Sequence, residues 1–288
     1  HWPAKNVTGR DVKPITAHVD VLPTLIDLCG IEAPADVRFD GRSIAPLVFG
    51  SKDDWPDRIL ITDSQRVKDP IKWRKSAVMT SRWRLNNQLE LYDIKMDPGQ
   101  KKNVAQQHPD VVGRLQAFYD QWWAELEPTF QQSTAIYLGH PQDNPARLTS
   151  HDWITTKSTP WNQRHVRQAL NGQGNVGFWN VHVYQSGRYK IRLRRWPEEA
   201  DAAIADELAA GDPVPGERAF RDQLGVGIQP VRATVKIGDK TQTLDVGDQA
   251  KETMFEIDLD QGTTRMEATF ETSSGEVYGA FYAYVEKQ

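Results

Sequence analysis

Residues 82–123 constrain the fold more than any other part of the chain, because a hairpin, a tight turn and a helix follow one another there. The runs at 82–85 and 89–92 are typical of short strands, and the asparagines and glutamine between them tolerate turn geometry. The Asp-Pro-Gly sequence at 97–99 predicts a second turn, since proline fixes one φ angle and glycine accepts a positive one. The order predicts a small antiparallel sheet followed by a helix.

The helix is predicted to begin at Pro109 and to end before Pro128. Proline suits the first helical position, and the acidic Asp110 beside it favours a helix N-terminus. Apolar side chains recur at helical spacing after that point. The predicted buried face consists of Val111, Leu115, Phe118, Trp122 and Leu126.

The same residues carry a resemblance to the C-terminal subdomain of type I sulfatases. The family phrase W-R/K-L, then E-L-Y-D-x-x-x-D-P-x-x-x-x-N-x-A, is matched from Trp83 to Ala105. Upstream, HVDVLPTLIDLCG at 18–30 resembles the family's H-x-D-[LVI]-x-P-T-[LI]-x-x-L-x-G helix, and residues 40–47 resemble its D-G-x-S loop. The resemblance covers roughly residues 1–126. The phrase and the upstream helix occur in the same order as in the family, which argues against coincidence.

The resemblance implies the C-terminal part of an alkaline-phosphatase-like α/β domain. It also implies a parent enzyme that hydrolyses sulfate esters, with sulfated carbohydrates as the expected substrate and with calcium and formylglycine as cofactors. In the family the catalytic and metal-binding residues lie upstream of the matched region, so no catalytic residue and no metal ligand is assigned in this chain. We therefore expect the chain alone to be inactive, its partner to be the upstream N-terminal part, and the parent to be periplasmic or secreted.

Cys29 is the only cysteine and must be tested against the formylglycine motif Cys/Ser-x-Pro-x-Arg. It does not match, because Ile31 and Ala33 stand where proline and arginine are required. Leu22, Ile26 and Cys29 share one helical face. A buried thiol is therefore expected, since free cysteine commonly behaves as a small apolar side chain.

Length and composition are typical of an ordinary soluble globular protein. The chain has 288 residues, 39% hydrophobic and 26% charged, enough for two domains. Its net charge of −4 argues against nonspecific nucleic-acid binding. No apolar run approaches the roughly 20 residues needed to span a bilayer.

The second part of the chain predicts an antiparallel β-sandwich. From about Gly177 apolar side chains alternate with polar ones, as at Trp179, Val181 and Val183, and turn signals separate about seven such runs. The last of them is placed at 278–284. The predicted organisation is a sulfatase subdomain over 1–128, a linker over 129–160 and a jelly-roll-like sandwich over 161–288. The fold class is thus α+β, with a short helical insertion expected over 198–210.

Three segments are candidates for substrate recognition. The basic loop, residues 65–75, clusters cations around an indole, and Arg66, Trp73 and Arg74 are its best candidates. A guanidinium can hold a sulfate in a bidentate manner, and an indole can stack on a sugar ring. His151 and Trp161 lie in segments with little regular pattern, where binding residues often occur. The alternative for each segment is structural: a solvated loop, or a tryptophan that anchors the chain by burial.

The remaining charged residues are expected to be structural. Asp20 and Asp27 are assigned to capping or solvated positions, and His18 has no partner at metal-ligand spacing. The basic stripe, which comprises Arg188, Lys190, Arg192 and Arg194, could meet a sulfated polymer but is more typical of a solvated face. Two rivals stay open for the function as a whole: a phosphatase or phosphonate monoester hydrolase of the same superfamily, and a non-catalytic carbohydrate-binding or docking module.

Overall fold

A computed structural model describes residues 9, 11–50, 55–65, 67, 69–170, 172–212 and 223–288. They form two compact units. The N-terminal unit comprises His1–Gln65 and Ile71–Thr129, and the sandwich unit comprises Arg66–Pro70 and Phe130–Gln288. Within the described ranges, no helix has the length and apolar character needed to cross a membrane.

The described residues of the N-terminal unit form one small sheet and three α-helices. Its helices are α1 (Val21–Cys29), α2 (Ala45–Phe49) and α3 (Pro109–Leu126), and its strands are β1 (Leu60–Asp63), β2 (Ser76–Met79), β3 (Trp83–Asn86) and β4 (Glu90–Asp93). The strands are antiparallel in the order β1-β2-β3-β4. The predicted small antiparallel sheet is confirmed.

The sulfatase-like phrase has a local physical explanation. The Asp97 carboxylate accepts hydrogen bonds from the backbone N–H groups of Lys101 and Lys102, at 2.7 and 2.8 Å. The Asn103 side chain accepts one from the backbone N–H of Leu91, at 3.1 Å. These polar side chains fasten the connection after β4, which leads the chain back toward α3.

Helix α3 buries a face slightly different from the predicted one. Its buried side chains are Val111, Leu115, Tyr119 and Trp123. Phe118 is 40% exposed, so its assignment to the buried face was wrong. Residues four apart stack along one side of a helix, and the stripe that begins at Val111 continues through Tyr119 rather than Phe118.

Helix α1 ends where the sequence predicts, at Gly30 in the left-handed region with a φ of 62°. Only Thr24 of this helix is buried, and its hydroxyl donates to the backbone carbonyl of Asp20. Leu22 and Cys29 are both exposed, so the expectation of a buried thiol was wrong. The helix contacts its unit through a different face from the one that carries Cys29.

In the described part of the sandwich unit there are ten strands and one short α-helix. They are β5 (Ile136–Leu138), β6 (Ala146–Thr149), α4 (Gln163–Arg167), β7 (Trp179–Val183), β8 (Gly187–Arg194), β9 (Pro230–Ile237), β10 (Lys240–Asp245), β11 (Thr253–Leu259), β12 (Gly262–Thr272), β13 (Val277–Gly279) and β14 (Tyr282–Lys287). One sheet has the order β10-β9-β12-β7-β5, with β13 also paired to β12, and the other has the order β11-β8-β14-β6. All pairs are antiparallel except β5 with β7.

A single apolar core lies between the two sheets. Trp179, Val181, Tyr189 and Ile191 are fully buried, as the alternation predicts. The run predicted over 278–284 is two strands that belong to different sheets. The chain crosses between the sheets at Ala280 and Phe281, and both are fully buried, which interrupts the alternation.

Residues 129–160, predicted to be a linker, and residues 198–210, predicted to be a helical insertion, contain other secondary structure. Residues 129–160 supply strands β5 and β6, because apolar side chains such as Leu138 and Leu148 reach the sandwich core. The domain limits themselves stay a prediction. Over 198–210 the structure has one 3-10 turn, at Glu198–Ala200, instead of a helical insertion. The residues after this turn are held against the sandwich, because Ala203 and Ile204 are buried.

Candidate functional site

A cavity of about 600 Å³ lies in the sandwich unit and is the best candidate for a ligand site. Its walls combine aromatic, hydroxyl, amide and charged side chains. They include His151, Asp152, Trp153, Lys157, Phe178, Asn180 and Arg265. Such a mixture suits a polar ligand with both hydroxyl and anionic groups.

Strands β7 and β12 place Asn180 and Arg265 side by side. The two residues are direct partners in the antiparallel register. Asn180 lies between buried Trp179 and Val181, and exposed Arg265 precedes buried Met266, so both side chains leave the outer face of the sheet. The Arg265 guanidinium lies 4.4 Å from the centroid of the Phe178 ring. Within the described part of the chain no carboxylate pairs with Arg265. Its charge is therefore available to an anion.

His151 reaches the cavity because Trp153 anchors its segment. Trp153 is buried, and its ring stacks on Phe281 with centroids 5.5 Å apart. Glycines stand at positions 177 and 279, where any Cβ would overlap the indole. The buried Trp153 Nε1 has no acceptor among the residues described. An exposed His151 thus sits on a fixed support.

Only some of the residues predicted from the sequence line this cavity. Arg66 lies outside the described residues, but its neighbours Val67 and Asp69 belong to the sandwich unit and line the same cavity as His151. Trp161 is exposed and lies with its ring edge-on to His165, at 5.7 Å between centroids, and it does not line this cavity.

Trp73 is packed inside the N-terminal unit. It is only 8% exposed, has a φ of 66°, and stacks on Tyr119 with ring centroids 3.7 Å apart. Its backbone N–H donates to the Tyr119 hydroxyl at 3.1 Å, and that hydroxyl donates to Asp63 at 2.8 Å. Little of the indole is left to stack on a sugar, so Arg74 is the stronger candidate in this segment.

Arg74 lies beside Trp73 in a turn with a defined backbone. Its N–H donates to the carbonyl of Ile71 at 3.1 Å. The Gln65 side chain holds Ile71 at both its N–H and its carbonyl, at 2.7 and 2.8 Å. Arg74 is half-buried and makes no ion pair with any residue that the structure describes. Lys72, by contrast, pairs with Asp120 at 2.8 Å.

Asp20 stands at the N-cap position of α1, but its side chain makes no cap hydrogen bond to that helix, and it is buried rather than solvated. The side chain makes an ion pair with Arg58, and it accepts the backbone N–H of Arg42 at 3.0 Å and of Ala17 at 2.8 Å. Burial alone would raise the pKa of Asp20, but the hydrogen bonds from Arg58 and from the two N–H groups lower it to about 2. Asp20 therefore fastens α1 to the segments that follow it.

The basic stripe is largely neutralised. Arg188 pairs with Glu256 and Asp258, and Arg192 and Arg194 share Glu252. An ion-paired stripe attracts a polyanion less than a free one. The cavity with its unpaired Arg265 is the better candidate on the sandwich.

The described side chains do not form a metal site. Within the ranges that the structure describes, no group of three or more His, Cys, Asp or Glu side chains is placed to hold one. The residues that the structure describes therefore do not fit the calcium that the resemblance implies.

Sequence reasoning missed Asn180, Arg265 and Phe178. The alternation around Trp179 and Met266 predicts that Asn180 and Arg265 point outward. It gives no sign that residues 130–133 and 151–159 would lie against them to form walls. That juxtaposition arises only when distant segments pack.

Comparison with known proteins finds sulfatases that are similar to the first part of the chain. The family model for N-sulphoglucosamine sulphohydrolase, C-terminal, matches residues 1–121. The delta 4,5-hexuronate-2-O-sulfatase of Bacteroides thetaiotaomicron is 34% identical over 92 residues, which are 30% of this chain and 19% of that protein. The steryl-sulfatase of Rattus norvegicus is 43% identical over 49 residues, 17% of this chain and 8% of that protein.

Residues 1–121 are similar to the C-terminal portion of sulfatases. The chain spans less than a fifth of the length of these relatives. A family 35 carbohydrate binding module from Clostridium thermocellum covers 50% of this chain and 98% of its own, at 17% identity and a TM-score of 0.28.

Proposed function

We propose that this chain is the recognition and closing part of a formylglycine-dependent sulfatase that acts on sulfated carbohydrates. The observation that carries the proposal is the family match over residues 1–121, combined with the small sheet and α3 that the sulfatase-like phrase builds. In this proposal the upstream part of the protein performs hydrolysis. The present chain completes the fold and contacts the substrate.

A sulfated sugar is favoured over other sulfate esters by the chemistry of the cavity. The two relatives named above differ in the alcohol part that their names specify, a hexuronate and a steroid. The cavity offers Asn180, Thr155 and His151 for hydrogen bonds and Arg265 for an anion. Hydroxyl groups and a sulfate together use such a set, whereas a steroid would need an apolar wall.

The upstream part of the protein has a suitable surface to cover on the N-terminal unit. Strand β1 is an edge strand, and with Phe118 and Trp122 it lines a cleft of about 650 Å³. Val21, Leu22 and Leu25 of α1 are more than half exposed. Apolar side chains in this number are expected to be covered in a complete domain.

Calcium and formylglycine are assigned to the upstream part. When bound, calcium would neutralise the sulfate oxygens, and formylglycine would supply the nucleophile. A periplasmic or secreted location is proposed with the family assignment.

The test uses the complete protein that includes the upstream segment. Release of sulfate is measured from sulfated oligosaccharides, and release of phosphate or phosphonate from matched esters. We expect turnover of the sulfate esters, loss of turnover when the upstream Cys or Ser of Cys/Ser-x-Pro-x-Arg is replaced by Ala, and no turnover by the 288-residue chain alone. Preferred turnover of phosphate or phosphonate esters would instead establish the rival hydrolase.

A non-catalytic carbohydrate-binding or docking module is the second candidate. It is favoured by the location of the 600 Å³ cavity, which lies wholly within the sandwich unit. Saturable glycan binding by the complete protein with no hydrolysis of any ester would support this alternative over the sulfatase.

A further inference from the structure

An exposed cluster of aromatic and imidazole rings lies on the outer face of the larger sheet of the sandwich. We call it the aromatic platform; it consists of Tyr137, His140, His182 and Tyr184. Tyr137 is 50% exposed and Tyr184 is 39% exposed. The Tyr137 ring lies 4.8 Å from the His182 ring, and the Tyr184 ring lies 4.6 Å from the His140 ring.

The strands hold these rings outward. Tyr137 precedes the fully buried Leu138 on β5, and it is the direct partner of His182 in the parallel pair of β5 with β7. His182 in turn lies between buried Val181 and Val183. The platform is thus attached to strands whose inner face forms the sandwich core, and its exposure follows from the pleat of those strands.

Polar atoms surround the rings at their edges. His140 Nδ1 accepts a hydrogen bond from the N–H of Gln142 at 3.2 Å, so its Nε2 carries the proton and can donate outward. His182 Nδ1 lies 2.8 Å from the Thr263 hydroxyl. Flat apolar faces bordered by donors match a pyranose ring, which has C–H groups on its faces and hydroxyls at its rim.

The platform continues into the cavity along two strands. His182 and Asn180 are two residues apart on β7, and Thr263 and Arg265 are two apart on β12, so each pair shares a face at a spacing of roughly 7 Å. Arg265 has no ion-pair partner among the residues described, in contrast to the paired Arg188 on the other sheet. A continuous surface therefore offers stacking rings at one end and a free guanidinium at the other.

We propose that the aromatic platform and the cavity form one extended binding surface for a sulfated carbohydrate chain of several sugar units. The rings would hold one sugar by stacking, and Arg265 would hold a sulfate on a neighbouring unit. The choice of a sulfated ligand rests on the proposed function, but the surface itself does not require catalysis. It makes the sandwich a part that retains polymeric substrate.

The test is affinity electrophoresis of the 288-residue chain in gels that contain heparin, chondroitin sulfate or carrageenan, with the desulfated polymers as controls. We expect retardation by at least one sulfated polymer. Tyr137→Ala and Arg265→Ala should each weaken retention about tenfold or more, whereas Tyr137→Phe, which keeps the ring, should retain it. Arg188→Ala is the matched control, since it removes an exposed but ion-paired arginine from the other sheet. Thermal unfolding of each variant checks the fold.

Three results would overturn the proposal: no retardation by any sulfated polymer, equal losses for Arg188→Ala and Arg265→Ala, or unchanged binding by Tyr137→Ala. A length series separates an extended surface from a single subsite. Tyr137→Ala should weaken binding of a sulfated hexasaccharide more than of a disaccharide, and equal losses would contradict the proposal. Sulfate release by the complete protein is assayed separately, so binding without turnover would reject the sulfatase proposal and leave the platform intact.

Discussion

The guanidinium carbon of Arg195 lies 4.0 Å from the centroid of the Trp196 ring, and the Arg195 side chain is completely buried in the sandwich unit. The Phe281 ring lies 4.7 Å away from the same carbon. Within the described part of the chain, none of the three guanidinium nitrogens has a hydrogen-bond acceptor. Burial lowers the pKa of Arg195 to about 9.

Arg195→Met is expected to leave the sandwich unit as stable as the wild type or more stable. A cation–π contact contributes about 2 kcal/mol at best, whereas burying an unpaired charge costs several. Arg195→Ala should instead destabilise by about 2–4 kcal/mol, because it leaves a cavity between two rings. Thermal unfolding of the three proteins compares them.

The pH dependence offers an independent check on Arg195. Its folded pKa lies below the ordinary value of 12.5, so the unfolded state binds more protons between about pH 9 and pH 12. Stability due to this group must therefore rise with pH in that range. The difference in the free energy of unfolding between Arg195→Met and the wild type should therefore shrink between pH 8 and pH 10. A difference that stays constant over this range would contradict a buried charge.

Asp20→Asn is expected to destabilise the N-terminal unit by about 3–5 kcal/mol, because it leaves Arg58 without its buried partner. Asp36→Asn, at an exposed position, is the control. The pKa of Asp20 is about 2, against an ordinary 3.8. The carboxylate's contribution is therefore complete above about pH 4 and is lost as the pH falls from 4 to 2. Amide hydrogen exchange in α1, followed across this range, should show that loss in the wild type but not in Asp20→Asn.

Tyr119→Phe tests the hydroxyl that joins Trp73 to Asp63. The substitution keeps the ring stacking but removes the donor to Asp63 and the acceptor of the Trp73 N–H, so we expect a loss of about 1–3 kcal/mol. Burial raises the pKa of Tyr119 to about 12, which keeps the hydroxyl neutral. Tyr137→Phe, on the exposed platform, should change stability little. Equal unfolding midpoints for wild type and Tyr119→Phe would show that the bridge contributes nothing.

Two glycine substitutions should act in opposite directions. Gly279→Ala places a Cβ into the ring of Trp153, which is packed in the core. The resulting overpacking is expected to destabilise the protein by about 1–3 kcal/mol. Gly113→Ala lies on an exposed position of α3 with no atom within 4 Å of the new Cβ, and should stabilise by about 0.5–1 kcal/mol. Chemical denaturation measures both changes against the wild type.

Arg74→Ala tests the proposed substrate contact in the complete protein, under the proposed sulfatase activity. Loss of a charge-assisted contact to an anionic sugar should lower kcat/KM by about one to two decades. A small uncharged aryl sulfate should lose much less, since it lacks the remote groups that Arg74 would bind. Lys102→Ala, an exposed lysine beyond β4, serves as the control. Equal losses on both substrates would assign Arg74 to the fold instead.

Much of the local structure was already determined by the sequence. The β3–β4 hairpin, the end of α1 at Gly30 and the alternating strands of the sandwich follow from turn residues, capping and side-chain period, which act between neighbours in the chain. The sulfatase-like phrase belongs to this level too, because Asp97 and Asn103 bond to backbone groups within twelve residues. The residues that carry the resemblance to sulfatases can therefore be recognised in the amino-acid sequence by itself.

Only the tertiary structure decided which side chains of these local elements contact distant parts of the chain. The buried stripe of α3 runs through Tyr119 because Trp73 and Asp63 meet it, and Asp20 is buried because Arg58, 38 positions away, reaches it. His151 and Arg265 share a cavity because the segment that holds Trp153 lies across β7 and β12. Contacts between distant residues depend on how complete elements pack, and no local periodicity encodes that arrangement.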